Sequence, residues 1–253
     1  MPPMRTLLIV TGGSAGLGRA LIATAPSDTH RVDVSRSGPP PEADGHVTLD
    51  LADPSGWTTF AAAFDDLVAS EAWDRITVIH NAGTLDPIGF AGEVDLERYT
   101  SSVLLGSAAG QVIGAHVLGR AAAATARLEL VMISSGAARS VYPGWSAYGA
   151  GKAALDQWVR TVGAEQQQQR ADGQERAGAK VLAIAPGVVA TDMQAAVRAA
   201  DPQAFPQVER FQHLHEDGQL TAPEVAARGI WQVLDDPSVH TGAVVDLRDR
   251  SGS

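Results

Sequence analysis

A chain of 253 residues with a 45% hydrophobic fraction is long enough to bury a substantial core, either as one large α/β domain or as two small ones. The absence of cysteine excludes disulfides, thiolate metal sites and a cysteine nucleophile, and with no continuous apolar span and no basic, apolar leader the expectation is a soluble, cytoplasmic protein without a membrane segment. A net charge of -10 with no lysine or arginine cluster argues against a nucleic-acid partner.

Arg5 to Val10 is rich in Leu, Ile and Val and reads as a buried parallel strand. It runs into Thr11-Gly12-Gly13-Ser14-Ala15-Gly16-Leu17-Gly18, after which Arg19 to Ala23 continues as helix. Strand, glycine turn and helix form the dinucleotide arrangement, in which Gly12, Ser14, Gly16, Leu17 and Gly18 let a pyrophosphate approach the helix N-terminus; a merely flexible turn is the alternative. Arg31 to Val34 reads as a second strand ending at Ser35 and Arg36. An arginine there suits a 2′-phosphate where an acid would suit a free 2′-hydroxyl, so the cofactor indicated is NADPH/NADP, unless Arg36 is one more solvated arginine. Val47 to Leu51 reads as a third strand, placing Asp50 and Leu51 where an adenine ring would lie, and Asp53 before Pro54 caps a helix to Ser70.

Ile76 to His80 reads as a fourth strand, followed by Asn81-Ala82-Gly83; His80 reads as a packed polar residue. From Ser102 to Ala126 the pattern is helical, with Gly106, Gly110 and Gly114 at four-residue steps that let another helix come close. Leu128 to Ile133 is a fifth strand delivering Ser135 to its carboxyl end, where open α/β sheets place ligands. Tyr148 and Lys152, four apart in a helix from Ala147 to Gln167, stack on one face, where the ammonium can lower the phenol's pKa. Alone, Tyr-x-x-x-Lys is a weak signal, since a helix of this size carries such pairs by chance. Gln166 to Ala177 is a polar stretch with little structural pattern. Val181 to Ala185 is a sixth strand ending in Pro186-Gly187-Val188 and Thr191, Thr221-Ala222-Pro223-Glu224 starts a helix, and Ala243 to Leu247 closes as a last strand. His213 and His215 point to different helix faces, so no metal site is expected. The alternation gives a single domain over residues 1–253, a doubly wound parallel sheet of Rossmann type with helices on both faces.

Four separated motifs, Thr11-Gly-x-x-x-Gly-x-Gly18, Asn81-Ala-Gly83, Ser135 with Tyr148 and Lys152, and Pro186-Gly187 with Thr191, resemble those of the short-chain dehydrogenase/reductase family. Ser135 rather than Ser134 matches, lying thirteen before Tyr148. The wording around them is similar to the sepiapterin reductase and benzil reductase branch, which reduces dicarbonyl side chains or diketones with NADPH. The resemblance implies hydride transfer to a small-molecule carbonyl, with Ser135 binding its oxygen, Tyr148 giving the proton, and Lys152 binding the nicotinamide ribose while depressing the tyrosine. It implies a substrate anchor at Asp246, the alternative being that Asp246 only ties down the C-terminal strand. It also implies a homodimer or homotetramer built on the glycine-bearing helix and the Tyr148 helix, with Leu155 or Trp158 near the seam. The departure is Val103, which stands where the family has a proton-relay asparagine. A general carbonyl, 3-oxoacyl or hydroxysteroid oxidoreductase, and a dinucleotide-binding regulator with little catalysis, are the other readings.

Overall fold

The computed structural model describes residues 4–121, 126–171 and 178–250. Seven strands, β1 (Thr6–Thr11), β2 (Thr29–Ser35), β3 (Gly45–Thr48), β4 (Arg75–His80), β5 (Arg127–Ile133), β6 (Lys180–Ala185) and β7 (Val244–Asp246), form one parallel sheet in the order β3-β2-β1-β4-β5-β6-β7. Alternate residues of each strand feed opposite cores. Leu7 and Ile9 pack with α2 (Pro54–Ser70), α4 (Ala109–Ala121) and α5 (Ser146–Ala171) on one face. Leu8 and Val10 pack with α1 (Gly16–Ala23) and α8 (Pro223–Asp235) on the other. A period of two along strands buried on both sides is why they read as continuous apolar runs.

Several boundaries depart from the sequence reading for local reasons. β3 ends at Thr48, because the Asp50 side chain accepts from Ala52 N at 2.9 Å and turns the chain out of the ladder. Asp53 caps α2 as expected, accepting from Ser55 N at 2.9 Å ahead of Pro54. α8 starts at Pro223 within the expected Thr221–Glu224 stretch, with Ala222 at the cap position, while Thr221 bridges to Val189 and steadies the loop after β6. The glutamine run extends α5 to Ala171, in keeping with the good helix propensity of Gln; the remainder of that stretch, 172–177, lies outside the described residues.

The glycine-bearing helix begins earlier than expected, at α3 (Leu96–Val103) capped by Asp95, and passes through a π turn at Leu104–Ala108 into α4. Residues 122–125 of the expected helix lie outside the described residues, and Ala126 leads into β5. The run Leu96–Arg120 is long and apolar enough to cross a membrane, yet its Ala109, Ile113 and Val117 sit in the core against the sheet. At Gly110 and Gly114 the glycine side faces inward, whereas a Cβ on Gly106 would meet nothing within 4 Å. A Cβ on Gly110 would meet Leu155 and His80, and one on Gly114 would lie 2.6 Å from Trp158 Cη2. Leu155 is fully buried in the protomer's own core, so it is not a seam residue. These glycines let α4 lie close to α5 and the sheet.

Gly114→Leu is therefore expected to destabilise the fold by about 1–3 kcal/mol through overpacking against Trp158 and Met132. Chemical denaturation measures it; an unchanged midpoint would mean that this side is open surface.

Candidate active site

The order of the sheet reverses between β1 and β4, and a cavity of about 420 Å³ opens above their carboxyl ends. At its β1 side, Gly12 (φ 68°) and Gly16 (φ 52°) take backbone conformations that suit glycine. Gly18 does not line the cavity as expected. Its Cβ would fall 2.1 Å from the Gly12 carbonyl oxygen, so its function is to let α1 sit tightly against the turn. The latch between the strands is polar. Asn81 Nδ2 donates to the carbonyls of Thr11 and Gly12 at 3.2 and 3.1 Å, and the Thr11 hydroxyl accepts from Asn81 N and Ala82 N at 3.1 and 3.0 Å.

At the end of β2, Arg36 lines the cavity beside Ser14 and Ser37, whose hydroxyls are 3.2 Å apart. Arg36 also stands 3.7 Å from Asp50, an exposed pair that costs little to separate. The acid nearest this point in sequence, Asp33, is fully buried beneath the Gly13 turn and engaged by Ser35 and His46, so it offers no carboxylate to a ribose. Asp50, Leu51, Asn81, Ala82 and Gly83 line the same cavity, as do Pro186, Gly187, Val188 and Thr191 across from them.

Ser135, Tyr148 and Lys152 meet on the cavity wall as the sequence suggests. β5 delivers Ser135, whose hydroxyl accepts from Ala137 N at 3.2 Å. α5 stacks the other two, with Lys152 Nζ 5.8 Å from the centre of the Tyr148 ring. Nζ donates to the Ile133 carbonyl at 2.7 Å. Burial pushes Lys152 down to about 8, opposed by the charge of Asp156 one turn on. Burial also raises the Tyr148 phenol, and the group that draws it back is the Ser135 hydroxyl. The net direction is therefore upward, opposite to the one expected beside Lys152, with burial as its largest cause, and Tyr148 keeps its proton through neutral pH.

The far end of the cavity was not legible in the sequence. Leu85, Ala137, Tyr142, Trp145, Val197, Phe211 and Leu214 line it, most of them within a third apolar cluster seated under α6 (Asp192–Arg198) and α7 (Val208–Glu216). Trp145 lies 5.6 Å from Tyr148 and 5.3 Å from Phe211, ring centre to centre. Arg210 edges this wall, its guanidinium 5.9 Å from the Tyr142 ring. Asp246, expected as a substrate anchor, does not line the cavity. Arg248 donates to it through N, Nε and Nη2 at 3.0, 2.9 and 2.6 Å, and Arg139 adds a fourth bond at 3.1 Å. Four donors saturate the carboxylate, and Arg248 is what reaches the cavity. Val103 also stays outside it, 41% exposed, while Leu105 of the π turn lines it.

A family model described as short chain dehydrogenase matches residues 6–202. The benzil reductase ((S)-benzoin forming) of Bacillus subtilis is 32% identical over 246 residues, spanning 96% of this chain and 98% of that protein. Sepiapterin reductase of Bos taurus is 27% identical over 274 residues, spanning 97% and 95%. Among solved structures, the short chain dehydrogenase/reductase YIR035C from Saccharomyces cerevisiae superposes with a TM-score of 0.81 over 97% of each chain at 24% identity, a likeness of fold.

The saturation of Asp246 has a pH signature. Its folded pKa is depressed chiefly by the hydrogen bonds from Arg248, so its contribution to stability is present above its ordinary value of 3.8 and is lost as pH falls through the folded value. Asp246→Asn should lower the melting temperature at pH 7, with the gap to wild type closing as pH falls below 3.8 and through the depressed folded value; a gap independent of pH would show that the charge contributes nothing.

Proposed function

The chain belongs to the short chain dehydrogenase family, and we propose that it is an NADPH-dependent reductase of aryl ketones and vicinal dicarbonyl compounds of the benzil kind. The observation that carries the reading is one cavity joining Ser135, Tyr148 and Lys152 to an aromatic wall of Tyr142, Trp145 and Phe211. Flat, weakly polar substrates gain most from such a wall. The saturated Asp246 favours them over ring systems that need a carboxylate for their N–H groups. A general carbonyl, 3-oxoacyl or hydroxysteroid substrate makes less use of these rings, and a regulator without turnover has no need of the intact trio.

The residues fit a nicotinamide dinucleotide. The glycine turn leaves bare backbone facing Thr191, close enough that a Cβ on Gly16 would lie 3.1 Å from Thr191 Cγ2. Gly12, Ser14, Gly16 and Leu17 would hold the pyrophosphate, Arg36 with Ser14 and Ser37 the 2′-phosphate, and Asp50 and Leu51 the adenine. Asn81 to Gly83, Lys152, Pro186 to Val188 and Thr191 would hold the nicotinamide half. The cofactor supplies the hydride that reduces the carbonyl carbon. Ser135 orients the carbonyl oxygen, and Tyr148, kept neutral by burial, donates its proton there as negative charge develops. The Lys152 ammonium, fixed by Ile133, stabilises the phenolate left behind. Assembly as a homodimer, or a tetramer of such dimers, belongs to the same reading, supported by the exposed Val103 and Val112 on α3 and α4.

NADPH oxidation with benzil tests the reading. Tyr148→Phe should lower kcat by about 100-fold or more while cofactor binding survives; retained turnover removes Tyr148 as the acid. Arg36→Ala should raise KM for NADPH well above its effect on NADH, and equal losses would end the 2′-phosphate assignment.

The pH profile should have a basic limb near 8, where Lys152 loses its charge. The sign for stability is opposite. A lowered lysine pKa means that the folded state binds fewer protons than the unfolded state between about 8 and 10.5, so this group's contribution to stability rises with pH there while activity falls. Activity that stays level to pH 10 would contradict the role given to Lys152.

A further inference from the structure

His80 closes β4, is fully buried, and has no part in the steps above. Its tautomer follows from counting. The Thr11 hydroxyl spends both lone pairs on Asn81 N and Ala82 N, so its own proton goes to the remaining neighbour, His80 Nδ1, at 3.1 Å. The ring is therefore the Nε2–H form, with its donor edge turned away from Thr11. Burial and the nearby Lys152 charge push its pKa to about 3, so that form persists through the working pH range.

The donor edge abuts the first turn of α4 at Gly110, two residues beyond the π turn. A Cβ on Gly110 would lie 2.9 Å from His80 Cδ2 and 3.1 Å from Nε2, so only a glycine lets the helix come this near. Nε2 itself meets no hydrogen-bond acceptor among the described residues, so the ring acts there through packing contact. On its other side the π turn touches the Tyr148 helix: a Cβ on Gly151 would lie 3.0 Å from the Gly106 carbonyl oxygen, and Lys152 is the next residue. Thr11, His80, Gly110 with the π turn before it, Gly151 and Lys152 thus form one contiguous chain of contacts. Val103, the helix position where the family resemblance leads one to look for a polar residue, faces outward and holds nothing.

We propose that His80 is a positioning residue: its donor edge, fitted against the bare Gly110, holds the π turn on Gly151 and so sets where Lys152 stands relative to Tyr148. The effect on turnover rests on the reductase reading above, whereas the effect on the helix does not. A π turn gains one residue per turn over an α-helix, and such turns concentrate at functional sites. Without the imidazole, the packing contact at Gly110 is lost and the adjoining π turn, with Leu105, is free to shift.

The test uses the full chain carrying His80→Leu, His80→Gln, Gly110→Ala or Val103→Asn. Amide hydrogen exchange at 105–110, followed without cofactor, reads the helix directly. His80→Leu and Gly110→Ala should speed that exchange and lower kcat by about tenfold or more with a raised KM for NADPH, the scale of loss expected from a small misplacement. His80→Gln, whose amide N–H reaches near the Nε2 position, should recover most of both, and Val103→Asn should change neither. If His80→Leu leaves exchange and kcat unaltered, or if Leu and Gln variants are equally damaged with equally lowered melting temperatures, the imidazole only fills space and the proposal is overturned. Should His80→Leu fail to fold, Gly110→Ala decides on the same readouts. If wild type reduces no carbonyl with NADPH, the reductase reading fails, while exchange at 105–110 still decides the role of His80.

Discussion

The Thr11 hydroxyl is the joint on which the site depends. One oxygen accepts two backbone N–H groups from the loop after β4 and gives its proton to His80, while Asn81 returns two bonds to the backbone of the glycine turn. Each buried bond of this kind contributes about 1 kcal/mol net, but leaving one group unpaired costs about 1–3 kcal/mol, so the joint behaves as a unit. It sits where the strand order reverses. The two strands that would otherwise diverge there are tied at a fixed spacing, and the glycine turn and the Asn81–Gly83 loop become opposite lips of one cleft.

Burial then acts on the two titrating groups in opposite directions. It raises the phenol above its ordinary 10.0 and lowers the ammonium from 10.5 to about 8, so two groups whose ordinary values nearly coincide are pushed apart, the lysine toward neutrality and the tyrosine away from it. Asp156 tempers the effect. It is itself buried, bonded to Ser134 Oγ at 2.5 Å, and its charge keeps Lys152 from falling further. The serine neighbouring the active one thereby serves the charge balance of the helix opposite.

Much of the fold and half of the site were legible in the sequence because they rest on local rules. Buried parallel strands read as apolar runs, Asp53-Pro54 reads as a helix start, and the glycines of residues 11–18 need little context. Ser135, Tyr148 and Lys152 emerge from strand-end placement and a four-residue step. What was not legible depends on partners distant in sequence. Nothing local marks Tyr142, Trp145, Phe205 and Phe211 as one cluster, since α7 must fold over the loop before α5 to assemble them. Nothing near Asp246 shows that Arg139 will occupy it from 107 residues away. The glycines at 110 and 114 follow the step of a helix contact, but whether the contact lies within the protomer or beyond it is decided by His80 and Trp158, which pattern does not place.

Among the described residues, buried polar atoms without a hydrogen-bond partner occur at both ends of the sheet, and several of them lie at the end that carries the site. These include Asp33 Oδ1 under the glycine turn, His80 Nε2 against Gly110, and Trp145 Nε1 and Gln194 Nε2 in residues that line the cavity. A core selected for stability alone would pair or replace such groups, because each costs on the order of 1–3 kcal/mol. The sheet can carry that cost, since its two apolar faces are assembled independently of the third cluster. The division has a consequence for change. Substitutions among Tyr142, Trp145 and Phe211 can reshape this wall of the cavity while β1, β4 and β5 keep Thr11, Ser135 and the lysine helix in place, so under the proposed reading specificity can vary without moving Tyr148.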